Sequence, residues 1–122
     1  MIGEAEVALR NARREIRWKL GKDVKHLEKR KAMGHLPEEY SLEKFSGLIQ
    51  KLLWEEVNEV YVYKFGQERY YFVRGMVGEE EWIVILSKEG VIETAFPPYD
   101  IEDCLRKRRV EPLGRVGEIL KE

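Results

Sequence analysis

Cysteine is almost missing from this chain. Cys104 stands alone among 122 residues, so no intramolecular disulfide framework can form. Such usage fits a reducing compartment, and a cytoplasmic location is expected. Long apolar runs are missing too. A bilayer span needs about 20 apolar residues, whereas stretches such as Trp82-Ile83-Val84-Ile85-Leu86 have the length of a strand. No apolar segment followed by a small-residue cleavage site marks the N-terminus, so neither a leader nor a membrane partner is expected. One cysteine and two histidines cannot build a usual structural zinc site. Phosphate-binding glycine loops, dinucleotide fingerprints, helical zinc motifs and nucleophile elbows are all lacking. No metal and no organic cofactor is therefore expected.

What the chain does have is a globular apolar content of 43% and a high charged content of 37%, with a net charge of only −1. The length suits one domain, residues 1–122, with a core of its own. Dense charge of both signs, rich in Glu, Lys and Arg, is enriched in proteins from hot environments, where ion pairs lose less on desolvation.

Ala5, Leu9, Ala12, Ile16 and Leu20 recur at helical spacing and predict a helix over residues 4–20, with Gly21 ending it. Residues 24–33 read as a short helix or turn closed by Gly34 and Pro37. A second clear helix is expected over 41–56, with Ser41 as N-cap and Phe45, Leu48, Ile49, Leu52 and Leu53 as its apolar stripe. After Asn58 the period changes to two. Strands are expected over 59–65, 69–77, 82–86 and 91–96, joined by connections so short that neighbours must be antiparallel. Pro97-Pro98 stops the last strand, and Asp100 caps a helix over 100–108 that buries Ile101 and Leu105. A last turn is expected around Val116–Leu120. The expected fold class is α+β: N-terminal helices packed on a four-stranded antiparallel meander, with a short C-terminal helix.

Charge is segregated along the chain. Residues 1–31 carry ten Lys/Arg against five Asp/Glu, a net of +5; residues 38–59 carry two against six, a net of −4. With the run Arg106-Lys107-Arg108-Arg109, the basic first helix offers phosphate backbones an electrostatic footing. The competing reading is that acidic and basic segments pair with each other. Histidine is the informative rarity. His26 and Arg30, four apart, share a helical face with Lys29 beside them, an acid–base group next to an anion holder. The competing reading is a solvated face carrying a chance histidine. His35 sits at a helix boundary, where capping or packing is equally open. Thr94 ends the last strand and offers a hydroxyl. Arg69 and Arg74, an odd number apart on one strand, must face opposite sides of the sheet, so at most one can join a shared site. Cys104 reads as a buried, inert thiol.

In the order of these features the chain resembles the barnase, EndoU, colicin D and RelE-like nucleases, especially their phage-associated and small-toxin branches. The resemblance covers roughly residues 24–99. It rests on His26-Leu27-Glu28-Lys29-Arg30 before the sheet and Thr94-Ala95-Phe96-Pro97 at the end of a strand. It implies a metal-independent endoribonuclease, of toxin or RNA-processing type, that uses the RNA 2′-hydroxyl as nucleophile. Carried over by position, His26 is the general acid or base, Arg30 the phosphate ligand and Thr94 the contact to the scissile group. Lys29, Arg74, His35 and Tyr99 become substrate-binding positions, and His35, Lys29 or Tyr99 the second proton-transfer group. RNA, or a protein partner such as an inhibitor, is the implied partner. A non-catalytic RNA- or protein-binding module is the alternative, and oligomeric state is left open.

Overall fold

The computed structural model describes residues 2–122. It is an α+β fold of five helices and one mixed, six-stranded sheet in the order β1-β5-β4-β3-β2-β6. The helices are α1 (Ile2–Arg14), α2 (Lys22–Ala32), α3 (Leu42–Trp54), α4 (Ile101–Lys107) and α5 (Val116–Leu120). The strands are β1 (Arg17–Trp18), β2 (Glu59–Phe65), β3 (Glu68–Val77), β4 (Glu80–Ser87), β5 (Val91–Phe96) and β6 (Glu111–Arg115).

The expectation of a four-stranded antiparallel sheet is corrected at both edges. β2 to β5 do pair antiparallel in sequence order, but β1 adds to β5 in parallel, Arg17 against Val91 and Trp18 against Ile92. At the other edge β6 pairs antiparallel with β2. Pro112 and Gly114 hid β6 from a reading by β-propensity; both are tolerated because an edge strand has one unpaired side. The first helix also ends earlier than its apolar spacing implied. It stops at Arg14, and Leu20, the last member of the expected stripe, is 99% exposed. Leaving the helix lets Trp18 tilt against Phe45, with ring centroids 5.3 Å apart, and donate its indole N–H to Ser46 Oγ. Gly21 accordingly starts α2 at φ 79° instead of ending α1.

The sheet is covered on both faces, where a single helix layer was expected. On one face α1, α3 and α5 bury Leu9, Phe45, Leu53 and Ile119 against Tyr71, Val73, Val84 and Leu86. On the other, α4 lays Cys104 and Leu105 on Tyr61, Phe72 and Ile83. β4 shows why. Trp82, Val84 and Leu86 enter the first core while Ile83 and Ile85 enter the second, so an unbroken apolar run is what a doubly covered strand needs. Each such large side chain contributes roughly 1.5–3 kcal/mol by leaving water.

Backbone conformation fixes how closely α1 meets the sheet. Gly90, in the β4–β5 turn, has φ 86°, and a Cβ there would lie 2.5 Å from the Ala8 carbonyl oxygen. Only glycine satisfies both conditions. Asn11 Nδ2 donates to the Glu89 carbonyl from the same helix face. The β4–β5 hairpin is thereby tied to α1, and β5 is held where α2 can reach it.

Candidate functional site

α2 is a polar helix with little apolar surface: Leu27 and Arg30 are its buried residues. Its C-terminus builds the site. Gly34 takes the left-handed conformation, the His35 N–H bonds to the Arg30 carbonyl at 2.8 Å, and the Gly34 N–H bonds to the Lys31 carbonyl at 3.0 Å. Paired bonds of this kind fold the chain back over the last helical turn. They bring the His35 ring to Arg30, whose Nη1 lies 3.2 Å from His35 Nδ1. A guanidinium can only donate, so Nδ1 accepts, and His35 is neutral with its proton on Nε2.

One turn earlier on α2, His26 meets the end of the sheet. Its Nδ1 lies 3.2 Å from Thr94 Oγ1 on β5, and its ring stacks beside Trp18 at a centroid distance of 6.5 Å. His26 and Thr94 thus meet where α2 runs along β5, and Arg30 follows one helical turn later on α2. Burial pushes the His26 pKa below the ordinary 6.5, and the positive charges of Lys22, Arg30, Lys29 and Lys25 push it further. His35 is lowered as well, first by burial and then by Arg30, with Glu80 opposing. Both rings are neutral at neutral pH.

Arg30 is the unusual group. It is 5% exposed, and among the described residues it has no carboxylate partner. Nη1 is spent on His35, Nη2 reaches the Met33 sulfur at 3.8 Å, and Nε has no hydrogen-bond partner. The guanidinium carbon lies 5.7 Å from the Phe96 ring centroid. Burial lowers its pKa below the ordinary arginine range, but an arginine stays charged. Among the described residues Trp82 Nε1 is the other buried side-chain donor without a partner, and its ring lies 6.5 Å from the His35 ring. Two orphaned donors therefore flank His35. Buried donors are normally satisfied, and a buried cation without a counter-ion is costly.

Arg30 opens onto a cavity of about 790 Å³ whose walls include Lys29 and His35 from the α2 end, Phe96 and Tyr99 after β5, and Arg108 beyond α4. His26 and Thr94 are not among its lining residues. Lys29 is exposed, and Tyr99 has no burial at all.

Arg74, expected among the substrate-binding residues, does not line this cavity. It lies on the α4 face of the sheet, its guanidinium 2.7 Å from Glu81 and 2.9 Å from Glu102, with Tyr61 Oη accepting a further bond at 3.3 Å. Arg69 is committed as well, with two bonds of 2.9 Å to Glu4. Nor is α1 an open basic face. Arg13 is buried, donating to the Leu53 carbonyl and to Glu122, and Arg10 binds Glu6 and the Leu120 carbonyl. Reading by spacing missed Arg108, Phe96 and Trp18. Arg108 lay inside a basic run treated as one patch, Phe96 was named only within the Thr94-Ala95-Phe96-Pro97 motif, and Trp18 fell inside the helix expected over residues 4–20.

Among the described residues no three His, Cys, Asp or Glu side chains are arranged to hold a metal ion, and no helix is long and apolar enough to cross a membrane. Compared with family models, curated proteins and solved structures, the chain matches none.

Proposed function

We propose that this chain is a metal-independent endoribonuclease-like domain, of toxin or RNA-processing type, that cleaves RNA through the 2′-hydroxyl. One observation carries the reading: an imidazole of lowered pKa, hydrogen-bonded to Thr94, stands one helical turn from a buried arginine that lacks a carboxylate. The order of the His26-x-x-x-Arg30 and Thr94-Ala95-Phe96-Pro97 motifs, which resembles the barnase, EndoU, colicin D and RelE-like nucleases, supports it from the sequence.

In this proposal His26 is the general base. With Nδ1–H donating to Thr94 Oγ1, Nε2 carries the lone pair that takes the 2′-hydroxyl proton. The 2′ oxygen attacks the adjacent phosphorus, the bond to the 5′ oxygen breaks, and a 2′,3′-cyclic phosphate and a 5′-hydroxyl result. Thr94 acts here through His26, as a positioning residue, and does not touch the scissile group. Arg30 balances the charge that develops on the phosphorane, and His35 Nε2–H donates to a non-bridging oxygen. Neither Lys29 nor Tyr99 has a partner that would orient it for proton delivery, so water protonates the leaving oxygen and His26 returns its proton to solvent.

A second reading, a non-catalytic module that binds RNA or a protein partner such as an inhibitor, is favoured by one feature. Arg30 occupies His35 Nδ1, leaving one imidazole for proton transfer where two would be expected. Purified protein incubated with mixed RNA in EDTA separates the two. Cleavage to cyclic phosphate ends, reduced about 10²–10⁴-fold in His26→Ala, is the outcome for the nuclease. Salt-sensitive RNA binding without cleavage, unchanged in His26→Ala, selects the binding module.

A further inference from the structure

We infer that the cavity between α2, the end of β5 and α4 seats a second phosphate of the same RNA strand, with Arg108 as its ligand. The inference rests on the proposed reading of Arg30 as holder of the reacting phosphate.

Among the chain's eleven arginines, Arg10, Arg13, Arg69, Arg74 and Arg106 each hold a carboxylate. Two that line one cavity do not. Arg30 is the first; Arg108 is the second, half-buried, with Nη1 placed 3.3 Å from the Cys104 carbonyl and 3.1 Å from its sulfur. Burial pushes the Cys104 thiol pKa up, so the sulfur brings no negative charge to Arg108. Three acids also line the cavity: Glu80, which faces His35, and Asp100 and Asp103, which are engaged within α4. Asp103 binds Arg106 and Lys107, and Asp100 caps α4 by accepting the Asp103 N–H at 3.0 Å. The cavity therefore holds two guanidinium groups that make no ion pair among the described residues, and one of them is nine-tenths buried with an orphaned Nε.

A volume near 790 Å³ is that of a site for a whole small molecule, far more than one phosphate group fills. Its walls also differ in chemistry by element. α2 contributes Lys29 and Arg30, the end of β5 contributes Phe96, Pro97 and Pro98, and α4 leads into Arg108. A single strand of RNA offers the matching alternation of phosphate with the flat, largely apolar faces of its bases, which stack on aromatic surfaces. Inorganic or nucleotide oligophosphate shares the two anionic groups but not the spacing between them.

The test uses the full chain and 2′-O-methyl oligonucleotides, which cannot be cleaved through the 2′ position. Affinities are read by anisotropy for a dinucleotide, with one phosphate, and a trinucleotide, with two. The wild type gains about tenfold from the second phosphate, the worth of one charge-assisted contact. Arg108→Gln loses that gain while binding the dinucleotide as the wild type does, and Arg108→Lys recovers part of it. Because Arg108 follows α4 directly, matched thermal melts establish that both variants are folded, and recovery in Arg108→Lys ties the loss to charge. A gain that persists in Arg108→Gln overturns the inference, as does no gain in the wild type. Pyrophosphate bound more tightly than the trinucleotide also overturns it, pointing to a free oligophosphate. The nuclease reading fails separately. Arg108-dependent gain in a protein that never cleaves RNA leaves the second phosphate site standing and removes catalysis. His26-dependent cleavage with Arg108-indifferent affinity does the reverse.

Discussion

Arg74 and Arg30 are both mostly withdrawn from water, yet their settings are opposite. Arg74, on β3, is held by Glu81, Glu102 and the Tyr61 hydroxyl, and the Glu81 bond above all raises its pKa. Arg30, on α2, has a histidine nitrogen, a thioether and an aromatic face for neighbours, and burial lowers its pKa. The first arrangement is closed: every strong donor has an acceptor, and the cation fastens α4 to the sheet. The second is open, because Nε has no acceptor and the charge has no counter-ion. A folded protein tolerates such a group where other interactions hold it and a ligand completes it. The sequence shows two arginines of similar rank; only their partners separate structure from site.

The sharpest way to break this comparison is to remove each charge while keeping its apolar stem. Arg30→Met should cost catalysis about 10²–10³-fold, the usual loss when one preorganised donor to a developing anion is deleted. Stability in urea should stay level or rise, since a buried cation without a partner is exchanged for a thioether that still packs on Phe96. A large loss of stability in Arg30→Met would mean that the histidine and aromatic contacts do more for the fold than the open charge suggests. Arg74→Met should behave oppositely. Cleavage should be unchanged, while stability falls by about 1–3 kcal/mol, less than for a fully buried pair because Glu102 remains 75% exposed and its attraction is screened. Equal effects of the two substitutions on either readout would erase the distinction.

Some of this site was legible before the structure. The four-residue spacing of His26 and Arg30 on a helix, Thr94 at a strand end, and the opposed faces of Arg69 and Arg74 all follow from side-chain periodicity, which depends on neighbours in sequence. The contact between Arg30 and His35 was also within reach. Glycine at position 34, just past a helix end, implies the reversal that returns residue 35 over residue 30. What could not be read is which charges are paired. Arg13, an apparent member of an open basic face, is buried against Trp54 at 4.3 Å and bound to Glu122, 109 positions away. Contacts of that span are fixed by tertiary packing alone. The same holds for the sheet edges. β1 is two residues long and β6 contains proline, so neither has a local signal that exceeds that of a loop. The continuous apolar run of β4, by contrast, already carried the information that both faces of the sheet are covered.

The smallest expected effect sharpens the comparison through pH. His26 and His35, beside Arg30, have pKa values below 6.5, so the folded chain takes up these protons less readily than the unfolded one. The unfolded state then binds more protons, and stability rises with pH in that range. The contribution is complete above pH 6.5 and is lost as pH falls through the folded values. Glu4, in the first turn of α1, titrates in a separate window. The Arg69 hydrogen bonds, then that of Tyr71, lower its pKa from 4.5 to about 2, so its contribution persists above 4.5 and disappears as pH approaches 2. Melting temperature measured across pH should therefore decline in two steps. A His26→Gln/His35→Gln double variant should flatten the upper step and leave the lower one, while Glu4→Gln should shrink only the lower step, to which Asp103 and Glu122, also lowered by their cationic partners, contribute the rest. Should the upper step survive in the histidine double variant, the burial of these two rings and the positive charges beside them are not what makes stability fall below pH 6.5.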